Sequence, residues 1–226
     1  MATHALTDGQ PAVAEHAHTG AWIASVLRAR IAAGDLTPGS KLSEHALCAT
    51  LRVSRNTLRE AFTTLASESI VTRIPNRGVF VASPGAEEVR EIYRVRRTIE
   101  PAAVLWGRLS PAALESMDRI VASAVAARAG HSVQGMADAN QALHKAVVAL
   151  TGSSSLELLM EQVLAEMRLV FHAMGSAPDF HSRYVDLNVK LVSQLSAGHR
   201  VEAASELRAY LDAAEGELLG HLGSTG

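Results

Sequence analysis

Between residues 54 and 78 the sequence runs SRNTLREAFTTLASESIVTRIPNRG. Arg55, Arg59 and Thr63 recur at i, i+4 and i+8, so on a helix they share one side, with Asn56 beside them. The opposite stripe is Leu58, Ala61, Phe62 and Leu65. A guanidinium bonds the two acceptors of guanine bidentately in the major groove, and residues near the start of a reading helix are those that reach base edges. Ser54 and Thr57 add hydroxyls where the free N–H groups of a helix start already favour phosphate. Arg77, between two β-like runs, is placed for a neighbouring phosphate or the minor groove. The same spacing also suits a solvated polar face on a small helical domain.

Other chemistry-bearing residues are sparser. Arg96 and Glu100 stand at i, i+4 and fit an intrahelix salt bridge. Arg168 and His172 have the same spacing and face either a cavity or water. His131, His181, His199 and His221 fall near expected helix ends, which predicts exposure. Met160, Met167 and Met174 repeat every seven residues, as core residues do. There is no Gly-rich phosphate loop after a strand, no nucleophile-elbow motif, and no second cysteine or adjacent base beside Cys48. An enzyme is therefore not expected; a metal-dependent one built on the helical part is the alternative from another class, and an effector-independent DNA-binding dimer is a third reading.

The elements that would hold these side chains follow from periodicity. Residues 1–18 are polar and aperiodic and read as a disordered tail. Trp22, Ile23, Val26, Leu27 and Ile31 recur at helical spacing, with Gly34 as the stop. Leu36 to Ser40 reads as a turn. Ser43 is placed to cap a short second helix ending near Leu51, with Leu42 and Leu47 as a hydrophobic staple. Ser54 caps a third, read as running to Ser69. Val71–Ile74 and Val79–Val81 flank Pro75–Gly78 and predict a two-stranded hairpin, Gly78 supplying the turn's backbone freedom. Ser83–Gly85 reads as a linker. Thereafter six helices are expected, at about 86–108, 111–129, 133–150, 155–174, 180–197 and 200–222. The expected fold class is thus mainly α: a winged helix-turn-helix of three helices plus a β-hairpin over 19–82, a linker at 83–85, and an all-helical bundle over 86–222.

Charge distribution supports two roles. The 226-residue chain carries a net charge of −2. Residues 21–82 hold eight Lys or Arg against four acids, a net of +4, while 83–226 hold 13 basic against 17 acidic side chains, a net of −4. A basic head on an acidic body is the pattern of a nucleic-acid binder with a separate second domain. A single cysteine excludes a disulfide framework and fits a reducing compartment. The first residues lack a basic start and an apolar core, so no secretory signal is expected, and no apolar run reaches the ~18 residues of a membrane span. The expectation is a cytoplasmic protein without a membrane partner.

Leu42-Ser-Glu44, the run Val53-Ser-Arg-Asn-Thr-Leu-Arg-Glu-Ala61, Leu65, Asn76 and Gly78-Val-Phe-Val81 together resemble the DNA-binding head of the GntR superfamily. The resemblance implies operator contacts from Arg55, Thr57 and Arg59, supported by Ser54 and Gly78. Many relatives carry an arginine where His45 stands, which makes one phosphate contact weaker or pH-dependent here. The segment Glu91–Glu100 resembles the opening helix of the FCD ligand-binding domain of the FadR branch, and six helices suit its VanR-like subgroup. That resemblance implies a homodimer on a palindromic double-stranded operator, and a small-molecule effector, a carboxylate metabolite, bound in the bundle.

Family members often hold a divalent metal with an Asp or Asn, a His four residues on, and two later His. Asn140 and His144 match the first pair. The third and fourth positions fall on Asn188 and Tyr210, so three imidazoles become one and a tight metal site is disfavoured. By the same resemblance Arg96, Asn140, His144, Asn188 and Tyr210 would line an effector cavity, with Arg96 able to pair an effector carboxylate.

Overall fold

The computed structural model describes residues 19–32, 34–173 and 178–224. The expected tail at 1–18 and Met174 lie outside them. The chain divides into two compact units, 1–81 and 82–226.

In the first unit α1 (Gly20–Ala32) buries Ile23, Leu27 and Ile31, and α2 (Glu44–Leu51) and α3 (Arg55–Ser67) complete the trihelical part. Ser43 and Ser54 cap α2 and α3 by accepting from the N–H groups of Ala46 and Thr57. Leu42 and Leu47 are both buried, as a staple requires. The stripe Leu58, Ala61, Phe62 and Leu65 is fully buried and seats α3 on α1. The third helix stops two residues short of the expected Ser69, because Ser69 itself adopts a left-handed φ of 55° and lets Ile70 N–H return to the carbonyl of Leu65. Arg28 of α1 clamps this end through a bidentate pair with Glu68.

The wing is a three-stranded sheet rather than the expected two-stranded hairpin. β2 (Val71–Ile74) and β3 (Gly78–Val81) pair antiparallel, and β1 (Lys41–Leu42) joins the other edge of β3, giving the order β1-β3-β2. Two residues are too short for alternation to register, so β1 left no sequence signal. Gly78 holds a φ of 112°, where a side chain would be strained.

The second unit contains six helices among the described residues: α4 (Ala86–Trp106), α5 (Pro111–Ala129), α6 (Val133–Ala149), α7 (Ser154–Ala173), α8 (Pro178–Ser196) and α9 (Arg200–Ser224). Ser110 and Ser132 cap α5 and α6, and Pro111 occupies a first-turn position where its missing N–H is not needed. α4 packs along α9, and α6 contacts α4, α5, α7 and α8. One large apolar core runs from Val89 and Tyr93 through Met117, Leu143 and Met167 to Leu211 and Leu218. Arg200, at the start of α9, donates to the carbonyls of Val104 and Gly107 at the end of α4. At Gly107 a Cβ would lie 2.4 Å from the Ala103 carbonyl and 2.5 Å from Cβ of Leu150, so the chain is pressed against both.

Candidate functional site

Two sets of polar side chains stand out, one on each unit. On the head, Arg55, Asn56 and Arg59 are exposed along one side of α3, with His45 exposed on α2 and Arg77 and Gly78 exposed on the wing. Ser54 and Thr57, expected to offer hydroxyls to phosphate, share a 2.7 Å hydrogen bond with each other. Ser54 oxygen is also the N-cap acceptor, so it orders the helix start. Thr63 is exposed but donates to the carbonyl of Arg59 and accepts from Arg73. It braces the helix instead of presenting a free hydroxyl.

Three head residues escaped the sequence reading. Arg73 Nη2 on β2 donates to the Arg59 carbonyl at 3.0 Å and to Thr63 at 2.8 Å, joining the wing strand to the middle of α3. Glu44 of α2 lies 3.5 Å from Arg59 Nε, an exposed pair that orients the guanidinium while leaving its other nitrogens available. Lys41 and Arg77 both stand 5.9 Å from the Phe80 ring, so the wing carries two cations about one aromatic platform. A cleft of about 300 Å³ separates α3 from the wing, with Glu44, Arg59, Arg73, Asn76 and Gly78 on its walls. Arg73 had a signal in hindsight: an arginine inside a short strand needs an acceptor, and the only nearby rail is the adjacent helix.

In the bundle the five residues named for an effector cavity come together in one network, buried except at the half-buried Asn140. His144 on α6 is fully buried. Its Nδ1 lies 2.6 Å from Glu100 Oε2, and its Nε2 lies 2.9 Å from the Tyr210 hydroxyl on α9. Tyr210 donates to Asn140 Oδ1 at 2.8 Å, and Asn188 Nδ2 on α8 donates to the same oxygen at 2.7 Å. Arg96 Nε donates to Glu100 Oε1 at 2.6 Å, and the guanidinium sits 5.1 Å from the Tyr93 ring. The intrahelix salt bridge foreseen for Arg96 is therefore made, but Nη2 of Arg96 is buried without a partner, as is Oδ1 of Asn188.

Glu100 is the residue that sequence reasoning placed only as the intrahelix partner of Arg96. It continues the buried stripe Val89, Ile92, Tyr93, Arg96 of α4. A carboxylate at an i+4 step on an apolar stripe was the available signal. Burial opposes its ionisation, yet Arg96 and His144 hold the carboxyl below its ordinary value. Burial and Arg96 push His144 toward neutral imidazole, against the pull of Glu100. Burial raises Tyr210 well above an ordinary phenol, so it keeps its proton, and pushes Tyr93 up to about 12.

These residues do not fit the divalent metal that the family resemblance implied. Both ring nitrogens of His144 are engaged, and Oδ1 of Asn140 already accepts two hydrogen bonds. What remains is an amide oxygen and a phenol, poor donors for a transition metal. Among the described residues no group of three or more His, Cys, Asp or Glu is arranged to hold one.

The remaining candidates fall elsewhere. Arg168 on α7 pairs with Asp138 and bonds Gln141. His181, expected to be exposed, is buried, edge-on to Phe171 at 5.0 Å and Phe180 at 5.3 Å. The packing of α8 against the bundle overrides its position near a helix end, and burial followed by the nearby Arg168 charge lowers its pKa to about 4. Stacked Tyr184 and Tyr210, 4.9 Å apart, connect that aromatic group to the network. Among the described residues no helix is long and apolar enough to cross a membrane.

Comparison with known proteins places both units. Residues 20–81 match the model of the bacterial regulatory proteins of the gntR family, and residues 91–213 match the FCD domain. A GntR transcriptional regulator from Rhodococcus sp. RHA1 superposes with a TM-score of 0.84 at 38% identity, over 89% of this chain and 97% of that one. E. coli McbR/YncC shares the fold, with a TM-score of 0.73 at 19% identity over 88% and 96% of the two chains. The gluconate operon transcriptional repressor of Bacillus licheniformis is 43% identical over 84 residues, 37% of this chain and 34% of that protein. The chain thus spans about a third of the curated relatives it first matches, whose names are those of regulators and not of enzymes.

Proposed function

The chain belongs to the GntR family of bacterial regulatory proteins, in the branch that carries an FCD domain, and from that premise we propose that it is a homodimeric, cytoplasmic regulator whose grip on a palindromic operator is set by a small molecule in the bundle. Arg55, Asn56 and Arg59 read base edges, with Thr57 and Ser54 fixing the helix start. His45, Arg77 and Gly78 follow the phosphates beside them. Arg96, Asn140, His144, Asn188 and Tyr210 hold the effector, a small carboxylate that takes the free N–H of Arg96.

The observation that carries the DNA reading is the face of α3. Arg55, Asn56 and Arg59 are exposed while Leu58, Ala61, Phe62 and Leu65 are buried, and a capped start turns free N–H groups outward. The observation that supports an effector is that two of the bundle's unpartnered buried polar atoms, Nη2 of Arg96 and Oδ1 of Asn188, belong to this one network, since such atoms are rare in native cores.

Binding-site selection from random DNA with the full chain tests the proposal. Enriched sites are expected to be inverted repeats whose halves lie about one helical turn, or a multiple, apart. Arg55→Ala and Arg59→Ala each abolish specific binding while circular dichroism stays that of the parent. Undiminished specific binding by both variants overturns the assignment of the reading residues.

A further inference from the structure

Away from the buried network, the bundle has an open cleft of about 390 Å³ where the step from α4 to α5 meets the end of α6. None of its lining residues belongs to the network, and nothing in the effector reading above bears on it. We propose that this cleft is a binding site of its own, for a small organic monoanion whose oxyanion head pairs with Arg108 and whose apolar body lies on the alanines between α5 and α6.

The head group follows from what the cleft offers. Arg108 is exposed, and its guanidinium makes no hydrogen bond or ion pair among the described residues; only its backbone N–H is used, on the carbonyl of Leu150. On the same unit Arg90, Arg94, Arg97 and Arg128 are each paired with a carboxylate. The hydroxyl of Ser116 has no partner either, and that of Ser110, which accepts from Ala113 N–H, keeps its own hydrogen to give. A planar fork of donors with two hydroxyls beside it is complementary to an oxyanion.

Nothing in the cleft opposes that charge. No acid lines it. The carbonyls at the end of α6 would repel an anion if they were free, but those of Val147, Val148 and Ala149 accept from Leu150, Thr151 and Gly152, and that of Leu150 accepts from Arg108. The start of α5 adds the positive end of a helix dipole.

The body of the ligand follows from the remaining wall. Ala113 of α5 and Ala146 and Ala149 of α6 are small, and the volume they leave is that of a small-molecule site, which is mostly apolar with a few polar groups to fix orientation. An inorganic anion would leave this wall wet, and a neutral apolar molecule would leave Arg108 without its counter-charge. An exposed ion pair contributes little alone, so contact with the alanines has to supply the rest of the affinity.

Occupation would hold together segments that already touch. Arg108 bonds Leu150, and Gly107 is pressed against the same residue. A ligand seated across them binds the folded bundle and not the unfolded chain, so it raises stability by mass action.

Benzenesulfonate is the probe, because it keeps its charge at every working pH. Methanesulfonate carries the head alone and benzyl alcohol the body alone. Calorimetry on the full chain should give half-saturation near 1 mM or below for benzenesulfonate, ordinary for about ten non-hydrogen atoms. Each half-probe should bind about ten-fold more weakly or worse. Arg108→Met and Ala149→Phe change exposed positions, and each should weaken benzenesulfonate about ten-fold while circular dichroism stays that of the parent. Amide NMR shifts on binding should centre on residues 108–116 and 146–152. Equal affinity for benzyl alcohol, undiminished binding by both variants, or no binding at up to tens of millimolar each overturns the proposal. Shifts centred on Asn140, His144 and Tyr210 overturn it as well, by placing the probe in the core. So does a change of sedimenting mass in either variant, which would mean that a second copy of the chain covers the cleft.

Discussion

Arg73 on β2 and Arg59 on α3 are joined by a side-chain-to-backbone hydrogen bond of 3.0 Å, so the wing strand grips α3 within its own length. The same nitrogen reaches Thr63, one turn on. Arg73→Met keeps the length of the side chain and removes both bonds. Operator affinity should fall about ten-fold, consistent with losing roughly 1–1.5 kcal/mol of positioning. A phosphate contact would also lower the salt slope by about one. Fluorescence anisotropy across a salt series distinguishes the two, and an unchanged affinity removes Arg73 from the reading machinery.

Glu100 stands between a guanidinium and an imidazole in a dry core. Glu100→Gln leaves Arg96 buried and uncompensated, and should destabilise the bundle by about 3–5 kcal/mol. The double change Arg96→Met with Glu100→Leu removes the charges together and should cost far less. Urea unfolding of the two variants measures the difference, and equal losses would show that the pair is not coupled.

His181 gives the stability a pH dependence of known sign. Its pKa is about 4 in the folded chain, below the ordinary histidine value, because it is buried and faces Arg168. Below about pH 6.5 the unfolded chain binds a proton that the folded chain refuses. The contribution of this residue is therefore complete above about pH 6.5 and is lost as pH falls toward 4, by roughly 3 kcal/mol at most. His181→Phe keeps the aromatic packing and should flatten that part of the profile. Parallel profiles for both proteins would contradict the burial.

At Gly107 the close approach of the Ala103 carbonyl and Leu150 leaves no room for a methyl group. Gly107→Ala should lower stability by about 2 kcal/mol or more, as overpacking does, and shift the melting temperature down by several degrees in calorimetry. Its φ of −67° is ordinary, so the loss would be steric and not conformational.

Much of this protein was legible in its residues. Ser54, the Leu58–Leu65 stripe and the Ser110-Pro111 step gave helix starts and buried faces because capping and 3.6-residue periodicity are local. Asn140, His144, Asn188 and Tyr210 were named from a family pattern, and the structure gathers them within hydrogen-bond reach. What escaped was non-local. β1 exists only because β3 lies beside it, Arg73 bonds α3 only because that helix passes its strand, and His181 packs on Phe171 of α7 as well as on its neighbour Phe180. Glu100 escaped for another reason: the i+4 pair with Arg96 looks the same on a wet face as in a core.

The pairing of β1 with β3 links two segments that are far apart in the chain, on either side of α3. α3 is thus enclosed in a loop that only tertiary structure closes, and closing such a loop carries an entropic charge before any contact rewards it. Losing the β1–β3 pairing would therefore release the wing and the helix it braces at once. A small loss at Leu42 or Val79, neither of which faces solvent, would be felt as a head that spends more of its time unable to recognise anything.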